Sequence, residues 1–345
     1  MSGDLIDLRS DAVTRPTMKM RSKMSNAKVG AFLELTEDPT VMHLEELSAS
    51  IMGKEAALLT TSGTQANLIA TLTHTRKGDE VLICENHHHL IQEVSGLTVL
   101  AGVVPRIMEN HRGVINSDAA LNEIKKRGTL QNPIGLIWLE NSHNNLGGIA
   151  ISPDEIKSLV EIAKNNKIPI HMDGARIFNA AHALGIKCHE ITKSANSVMF
   201  CLTKGLSCPV GSMLAGSKSF IEEAGRIRKM LGGGMRQAGI FAAAGIVALE
   251  KMLDQIGEDN ENAKIIENGL NDIEEISIVP VETNLIKFDL TGSDMTASKF
   301  EKKMAEENIL VLPIGKSSVR LAIHRHHGKK EISRIVKTIK KYFLK

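Results

Sequence analysis

Short apolar runs alternate with helical patterns through the first two-thirds of the chain. Runs of strand length lie at residues 81–84, 97–104, 136–139, 168–172, 197–202 and 211–215. Because these runs are mostly apolar, they predict strands that helices cover on both faces, as in a mainly parallel α/β sheet. Ser152-Pro-Asp-Glu155 has the pattern of a capping box and predicts the start of a helix between two of these strands.

The pattern changes after the glycine run at residues 232–234. A helix of small residues is predicted over residues 237–253, and it leads into a charged segment at 257–264. Short strands follow at 276–281, 284–290, 309–313 and 319–324, with helices over 296–307 and 329–342. We therefore predict a large domain over residues 1–256, which includes an N-terminal segment, and a small C-terminal α/β domain over residues 257–345.

Composition narrows the class of ligand. The 345 residues carry 42 Lys and Arg against 40 Asp and Glu, a net charge of +2, with no long block of one sign. This balance favours a small-molecule substrate over nucleic acid. The N-terminus is acidic, no apolar run is long enough for a membrane span, and four cysteines are too few for a disulfide framework. We expect a soluble cytoplasmic protein with reduced thiols and no membrane contact.

Two charged side chains stand directly after predicted strands. Asp173 and Lys204 are 204 − 173 = 31 residues apart, the length of one βαβ unit. Carboxyl ends of parallel strands meet at one edge of the sheet, where ligands bind. Pyridoxal 5′-phosphate (PLP) chemistry needs a lysine that forms an imine and a carboxylate that keeps the pyridine nitrogen protonated. The two residues are candidates for these roles, although a helix-capping aspartate and a surface lysine also fit.

Two glycine-containing segments are candidates for binding an anion. Ser62-Gly63-Thr64 opens a predicted helix over residues 65–73, where backbone amides can hold a phosphate. An ordinary helix cap explains the same three residues. Gly232-Gly-Gly-Met-Arg236 is a flexible loop with a cation that suits a phosphate or a carboxylate, but it lacks the dinucleotide-binding fingerprint.

The histidines allow more than one interpretation. Three adjacent side chains, His87 to His89, cannot converge on one ion, so we predict no metal site there. His143 follows the strand predicted at residues 136–139 and is either a base or a turn residue. The segment His324-Arg-His-His327 is expected to be a solvated turn.

Seven segments occur in a defined order: Ile6-Asp-Leu-Arg-Ser-Asp11 with Thr14-Arg-Pro16, Glu37-Asp-Pro-Thr40, Ser62-Gly-Thr64, Leu139-Glu-Asn-Ser-His-Asn144, His171-Met-Asp-Gly-Ala-Arg-Ile-Phe-Asn179, Phe200-Cys-Leu-Thr-Lys-Gly205 and Arg228-Lys-Met-Leu-Gly-Gly-Gly-Met-Arg-Gln-Ala-Gly239. Together with the strand around Arg320, they resemble the low-specificity L-threonine aldolases. These belong to a PLP fold-type I family that also holds β-eliminating lyases. The resemblance implies an aspartate-aminotransferase-like fold and cleavage of threonine or allo-threonine to glycine and an aldehyde.

The resemblance also implies roles for individual residues. The Schiff-base lysine would be Lys204, with Asp173 on the pyridine nitrogen and His88 stacked on the ring. Residues implied for the phosphate are Ser62, Gly63 and Thr64, with Arg236 from a neighbouring subunit of a homo-oligomer, a dimer of dimers. Residues implied for the substrate carboxylate are Ser10, Arg176 and Arg320, with Arg176 also near the cofactor. Either His88 or His143, directly or through water, would remove the β-hydroxyl proton.

One departure from the family concerns the substrate. The family carries Val-Tyr-Gly before its Asp-Pro-Thr segment, whereas this chain has a longer loop without tyrosine at Ala31 to Thr36. The preferred aldehyde therefore stays open. Two alternatives also stay open: a β-eliminating lyase, which would release pyruvate and ammonia, and a PLP-binding protein with weak aldolase activity.

Overall fold

The computed structural model describes residues 5–30, 37–127, 131–291 and 295–343. In chain order, the strands of these residues are β1 (Ile6–Asp7), β2 (Ala56–Thr60), β3 (Glu80–Cys84), β4 (Val104–Met108), β5 (Asn110–His111), β6 (Val114–Ile115), β7 (Ile134–Glu140), β8 (Ile170–Asp173), β9 (Ser197–Cys201), β10 (Ser212–Gly216), β11 (Ile276–Ile278), β12 (Leu285–Leu290), β13 (Ile309–Leu310), β14 (Leu312–Pro313) and β15 (Ser318–Ala322).

The α-helices lie mostly between the strands. They are α1 (Met18–Ser25), α2 (Pro39–Met52), α3 (Gly63–His74), α4 (His88–Ile91), α5 (Gly96–Val99), α6 (Ser117–Lys125), α7 (Lys157–Asn165), α8 (Ile177–Leu184), α9 (Cys188–Thr192), α10 (Lys218–Met230), α11 (Gly239–Lys251), α12 (Leu253–Leu270), α13 (Ala297–Glu306) and α14 (Lys329–Phe343). Two 3-10 segments, Asp11–Val13 and Lys204–Leu206, flank the candidate site.

Within the described residues, seven strands form a central sheet in the order β2-β10-β9-β8-β7-β3-β4. Only β10 runs antiparallel to its neighbours, so the sheet is mainly parallel, as predicted. Alternate residues of β9 face different sides: Val198 and Phe200 pack in one apolar cluster, whereas Met199 and Cys201 pack in another. This double coverage explains why the strands are apolar throughout.

Several predicted elements differ from the structure. The strand predicted at 309–313 is two strands, β13 and β14, which pair with different neighbours. Residues 97–104 were predicted as one strand, but they include most of helix α5, and β4 begins only at Val104. A short apolar run cannot distinguish a buried helix from a strand, and Gly102 interrupts the run with a φ of 70°.

The capping box forms as predicted, with Ser152 N donating to Glu155 Oε2 at 2.8 Å. The helix that it precedes begins at Lys157.

The C-terminal part is a small α/β unit. Its strands form a four-stranded antiparallel sheet in the order β11-β12-β15-β14, against which α12, α13 and α14 pack. Helix α12 crosses the predicted boundary at residue 257: Ile256 packs in the larger core, and Ala263 in the smaller one. The N-terminal strand β1 pairs with β13, so Ile6 joins the smaller core rather than the large one. The division near residue 257 is retained as a proposal.

Candidate active site

A cavity of about 320 Å³ opens at the carboxyl ends of β8 and β9. Its wall comes from four separate segments of the chain, and the candidate residues among its lining are Ser62, Gly63, Thr64, His88, Asp173 and Lys204. The topology explains this convergence, because β8 and β9 are parallel neighbours and therefore end at the same edge of the sheet.

The N-terminus of α3 forms one end of the cavity. Ser62 is the N-cap, and its side chain accepts a hydrogen bond from Gln65 N at 3.2 Å. A Cβ atom on Gly63 would stand 2.8 Å from Met199 Cε, so glycine lets the helix start lie close to the sheet without moving the Met199 side chain. The first amides of a helix have no acceptor within the helix, and such donors suit a phosphate group.

Lys204 stands in a tight turn just after β9. Its φ of 65° is in the left-handed region, which a non-glycine residue adopts only when its surroundings hold it there. Thr14 Oγ1 donates to the Lys204 carbonyl oxygen at 2.5 Å, and Ser207 N donates to the same oxygen at 2.9 Å. The N-terminal segment thus helps to hold the backbone of the candidate Schiff-base lysine.

Asp173 ends β8 and is 1% exposed. Its Oδ1 accepts from Ala175 N at 3.0 Å, and its Oδ2 accepts from Asn67 Nδ2 at 2.9 Å. Burial alone would raise the pKa of Asp173, but the charges of His88 and Lys204 outweigh it and hold this pKa well below its usual range. The ionised carboxylate fits a protonated pyridine nitrogen, and it also makes the turn contact expected of a structural cap.

The three adjacent histidines diverge. His88 lines the cavity, and its Nε2 lies 3.8 Å from Glu93 Oε1. His87 and His89 are buried against Trp138, with the His89 ring stacked on the indole at 4.5 Å. The backbone nitrogen of His88 donates to a buried carboxylate, Glu140 Oε2, at 2.8 Å.

His143 is buried and does not line the cavity. The side chain is fully buried, with Nε2 3.4 Å from Cys84 Sγ and 3.7 Å from Glu140 Oε2. Burial lowers the pKa of His143 to about 4, so its ring is neutral near pH 7. A Cβ on Gly113 would stand 2.3 Å from His143 Cδ2, so this contact requires glycine. Of the two candidate bases, the structure therefore exposes His88 to the cavity.

Arg176 and Arg320 meet at a shared acceptor. Each donates to Asn144 Oδ1, at 3.0 Å and 3.1 Å respectively. The other donors of Arg176 bind the buried Asp11, at 2.7 Å from Nε and 2.8 Å from Nη2. Burial lowers the pKa of Arg320 to about 10, and its Nε has no partner among the described residues. Arg320 is thus the better placed of the two for a further anion.

Four further predicted site residues are outside the cavity wall as the described chain forms it: Ser10, Arg176, Arg236 and Arg320. Ser10 Oγ accepts from Ala12 N at 3.1 Å, so its hydroxyl hydrogen can still be donated. The side chain of Arg236 is exposed, in a loop that packs against the start of α3: a Cβ on Gly233 would stand 2.4 Å from Gln65 Nε2. Arg236 is therefore not placed at its own chain's cavity.

Several site residues were not singled out from the sequence. Glu140 and Asn144 belong to the quoted Glu-Asn-Ser-His-Asn segment, and Asp11 to the N-terminal one, so the motifs contained them without showing their roles. Asn67 and Glu93 carried no such signal. The loop at Ala31 to Thr36 lies outside the described residues.

The expectation of a solvated turn at His324-Arg-His-His327 was wrong for His324 and His327, whereas His326 is exposed. His324 and His327 are 2% and 3% exposed, and their rings lie 3.9 Å apart. His324 Nε2 lies 3.0 Å from the Asp7 carbonyl oxygen. The N-terminal strand covers this turn, and local sequence gives no sign of a partner so far away in the chain.

Comparison with known proteins gives consistent matches along nearly the whole chain. A family model described as Beta-eliminating lyase matches residues 7–292. Low-specificity L-threonine aldolase 1 of Arabidopsis thaliana is 43% identical over 326 residues, which cover 92% of this chain and 91% of that protein. The low specificity L-threonine aldolase of Escherichia coli (strain K12) is 37% identical over 334 residues, covering 96% and 97%. A Leishmania major threonine aldolase structure matches with a TM-score of 0.83 at 16% identity, covering 98% of this chain and 99% of that one.

Proposed function

The chain belongs to the Beta-eliminating lyase family, and we propose that it cleaves L-threonine, L-allo-threonine and related β-hydroxy-α-amino acids to glycine and an aldehyde. This makes it a carbon–carbon lyase that uses PLP, and its fold is PLP fold type I. The observation that carries the proposal is one cavity lined by Lys204, by the ionised Asp173 and by the N-terminus of α3.

The donor set of the cavity fits PLP. Lys204 would hold the cofactor through its amine, Asp173 would face the pyridine nitrogen, and His88 would cover the ring. The phosphate would lie against Ser62, Gly63 and Thr64, and Arg176 would stand near the ring. When bound, PLP accepts the electrons released as the Cα–Cβ bond breaks.

The arginines account for binding of the substrate carboxylate. The Nε of Arg320, which has no partner in the part of the chain that the structure describes, makes this residue the primary anchor, and the Ser10 hydroxyl and Arg176 complete the clamp. Because Arg176 already binds Asp11 and Asn144, it fixes the acceptor that both guanidinium groups share. Arg320 comes from the C-terminal part and Arg176 from the large one, so the substrate would lie between the two.

We assign removal of the β-hydroxyl proton to His88. It lines the cavity, whereas His143 is fully buried and does not. Glu93 Oε1, 3.8 Å from His88 Nε2, would stabilise the imidazolium after the transfer. In this assignment His143 supports the loop after β7.

Lys204→Ala tests the proposal. Purified wild-type protein should be yellow and should convert threonine to glycine and acetaldehyde. The variant should lose both the absorption band of lysine-bound PLP and the activity, and Lys193→Ala is a control at a lysine remote from the cavity. Elimination from threonine would instead give 2-oxobutanoate and ammonia, and these products from the wild-type protein would indicate a β-eliminating lyase. A normal band in the Lys204 variant would contradict the site assignment.

A homo-oligomer, which we propose to be a dimer of dimers, would bring Arg236 to a neighbouring subunit's phosphate site. Large apolar side chains are exposed on both sides of the glycine loop: Met230 is 70% exposed, Ile240 40% and Phe241 36%. Large exposed apolar side chains near one loop are typical of a protein interface. The exposed Arg236 would then bind the cofactor phosphate of a neighbouring subunit rather than that of its own chain.

The setting that we propose is cytoplasmic, with a small amino acid as the substrate and neither nucleic acid nor membrane as a partner. The four cysteines are buried and unpaired, which is usual for a reducing compartment. Among the described residues, none of the helices combines the length and the apolar character needed to cross a bilayer. The net charge of +2 offers no strong attraction to polyanions.

A further inference from the structure

Asp173 is the end point of a chain of buried polar contacts. His74 Nε2 lies 2.7 Å from Ser197 Oγ, and that oxygen lies 2.7 Å from His171 Nδ1. His171 Nε2 lies 3.3 Å from Asn67 Oδ1. The Asn67 amide nitrogen then donates to Asp173 Oδ2 at 2.9 Å and to Glu93 Oε1 at 2.8 Å. One asparagine thus connects the chain to two carboxylates.

The elements explain why these residues meet. Asn67 and His74 are seven residues apart in α3, two helical turns, and so lie on the same face of the helix. His171 and Asp173 are two residues apart in β8 and therefore point to the same face of the sheet. Ser197 of β9 is the register partner of His171. Packing of α3 on this face of the sheet brings the five side chains into one row. Asn67, His171 and Ser197 are fully buried.

The direction of each hydrogen bond follows from the ionised Asp173. An ionised carboxylate only accepts, so the Asn67 NH₂ group faces it and Asn67 Oδ1 must accept from His171 Nε2. Burial keeps the pKa of His171 well below its usual value and lowers that of His74 to about 4, so both rings are neutral. His171 Nδ1 is therefore an acceptor for the Ser197 hydroxyl, which accepts in turn from His74 Nε2. Every donor in the row points towards Asp173.

We propose that Asn67 is a positioning residue, which orients Asp173 towards the cofactor and fixes Glu93 beside His88, at the end of a one-way hydrogen-bond chain from His74 through Ser197 and His171. Glu93, the second carboxylate that Asn67 contacts, is itself held in place by other side chains. Glu93 Oε2 pairs with His89 Nδ1, and the His89 ring stacks on Trp138. The two sides of the cavity that the proposed mechanism uses are therefore connected through one amide group.

Asn67→Asp isolates the electrostatic role, because it keeps the shape and replaces the donor with an oxygen facing two carboxylates. We expect PLP affinity to fall about tenfold to a hundredfold, the range for one hydrogen bond to a charged group, and the pH titration of the PLP absorption band to shift. Asn67→Ala should have the smaller effect, since it removes the donor without adding a charge. Thr71→Val is the matched control: this buried residue of α3 donates only to the Asn67 backbone carbonyl.

A merely structural role would give the opposite order. The alanine variant leaves a cavity, so it would then be the worse of the two, and losses of PLP affinity would follow losses of thermal stability in all variants. That result, or an unshifted titration in Asn67→Asp, would overturn the role proposed for Asn67.

The direction of the chain has its own test in the holoenzyme. With ¹⁵N-labelled histidine, we expect the His171 signal, assigned by its loss in His171→Asn, to be that of a neutral ring protonated on Nε2 from about pH 6 to about pH 9. Asn67→Ala should release this preference, because it removes the oxygen that accepts from His171 Nε2. A ring protonated on Nδ1, or on both nitrogens, would refute the direction.

The role of Asn67 rests on the proposed function, and the two can fail separately. Wild-type protein that neither binds PLP nor forms glycine would refute the proposed function. Wild-type protein that does both, with an Asn67→Asp variant indistinguishable from it, would refute only the role of Asn67.

Discussion

Asp11→Ala should be among the most destabilising single changes that this protein can carry at a charged position. Asp11 and Arg176 are 0% and 5% exposed, and they form a bidentate pair with N–O distances of 2.7 Å and 2.8 Å. Removing one partner leaves a buried charge without compensation, which costs about 3–5 kcal/mol. The remaining contact of Arg176 with Asn144, at 3.0 Å, is to a neutral oxygen and replaces little of this.

A second ion pair in the same segment is the control. Arg9 and Asp7 are joined at 2.6 Å, but their side chains are 49% and 19% exposed. Solvent screening limits such a pair to about 0–1 kcal/mol, so Asp7→Ala should change the free energy of unfolding by less than about 1 kcal/mol. If Asp7→Ala and Asp11→Ala lowered the free energy of unfolding equally, burial would not determine how much an ion pair stabilises this protein.

The assay is urea unfolding of Asp11→Ala, Arg176→Met and the double variant at one protein concentration. If the charges interact directly, the double variant should lose less free energy of unfolding than the two single variants lose together. The difference should be about 2 kcal/mol or more, within the range for contacting residues. Additivity within about 0.5 kcal/mol would refute the pairing.

The pH dependence of this effect has a definite sign. Burial would raise the pKa of Asp11, but the Arg176 guanidinium outweighs it and holds this pKa below the unfolded value of 3.8. The stabilisation by the pair is therefore complete above about pH 5 and is lost as the pH falls towards the folded-state pKa. Wild type and Asp11→Ala should accordingly differ by a constant amount near neutral pH and converge in acid.

Three further predictions concern the site. Asp173→Asn should retain PLP but lose several orders of magnitude in turnover, because an amide cannot keep the pyridine nitrogen protonated; near-native turnover would leave Asp173 only a structural cap. Mixing Lys204→Ala with Arg236→Ala protein should restore activity in hybrid oligomers, and failure in demonstrably mixed oligomers would place Arg236 in its own chain's site. Grafting the family's tyrosine loop over residues 31–36 should lower the ratio of kcat/KM for phenylserine over threonine, since it adds a hydrogen bond worth about 0.5–1.5 kcal/mol and removes apolar contacts worth about 0.8 kcal/mol per methylene. An unchanged ratio would exclude this loop from the substrate pocket.

Sequence patterns were informative where the chemistry is local. The apolar runs of β3, β7, β8 and β9 were predicted because strands buried on both faces need apolar residues at every position. The run at residues 97–104 misled for the same reason, since a buried helical turn also needs apolar residues. The histidine-rich turn at residues 324–327 failed differently: its burial depends on strand β1, more than 300 residues earlier in the chain.

By itself, the sequence indicated that Asp173 and Lys204 stand at strand ends, and the seven ordered segments together indicated the class of cofactor. The tertiary structure decided which distant groups meet them. Asn67 reaches Asp173 across 106 residues, and Arg176 reaches Asp11 across 165. Local periodicity sets only the face on which a side chain lies. Which distant side chain it meets depends on the order of the strands and on the helix that packs against them. Strand order and helix packing in turn depend on burial of apolar surface along the whole chain.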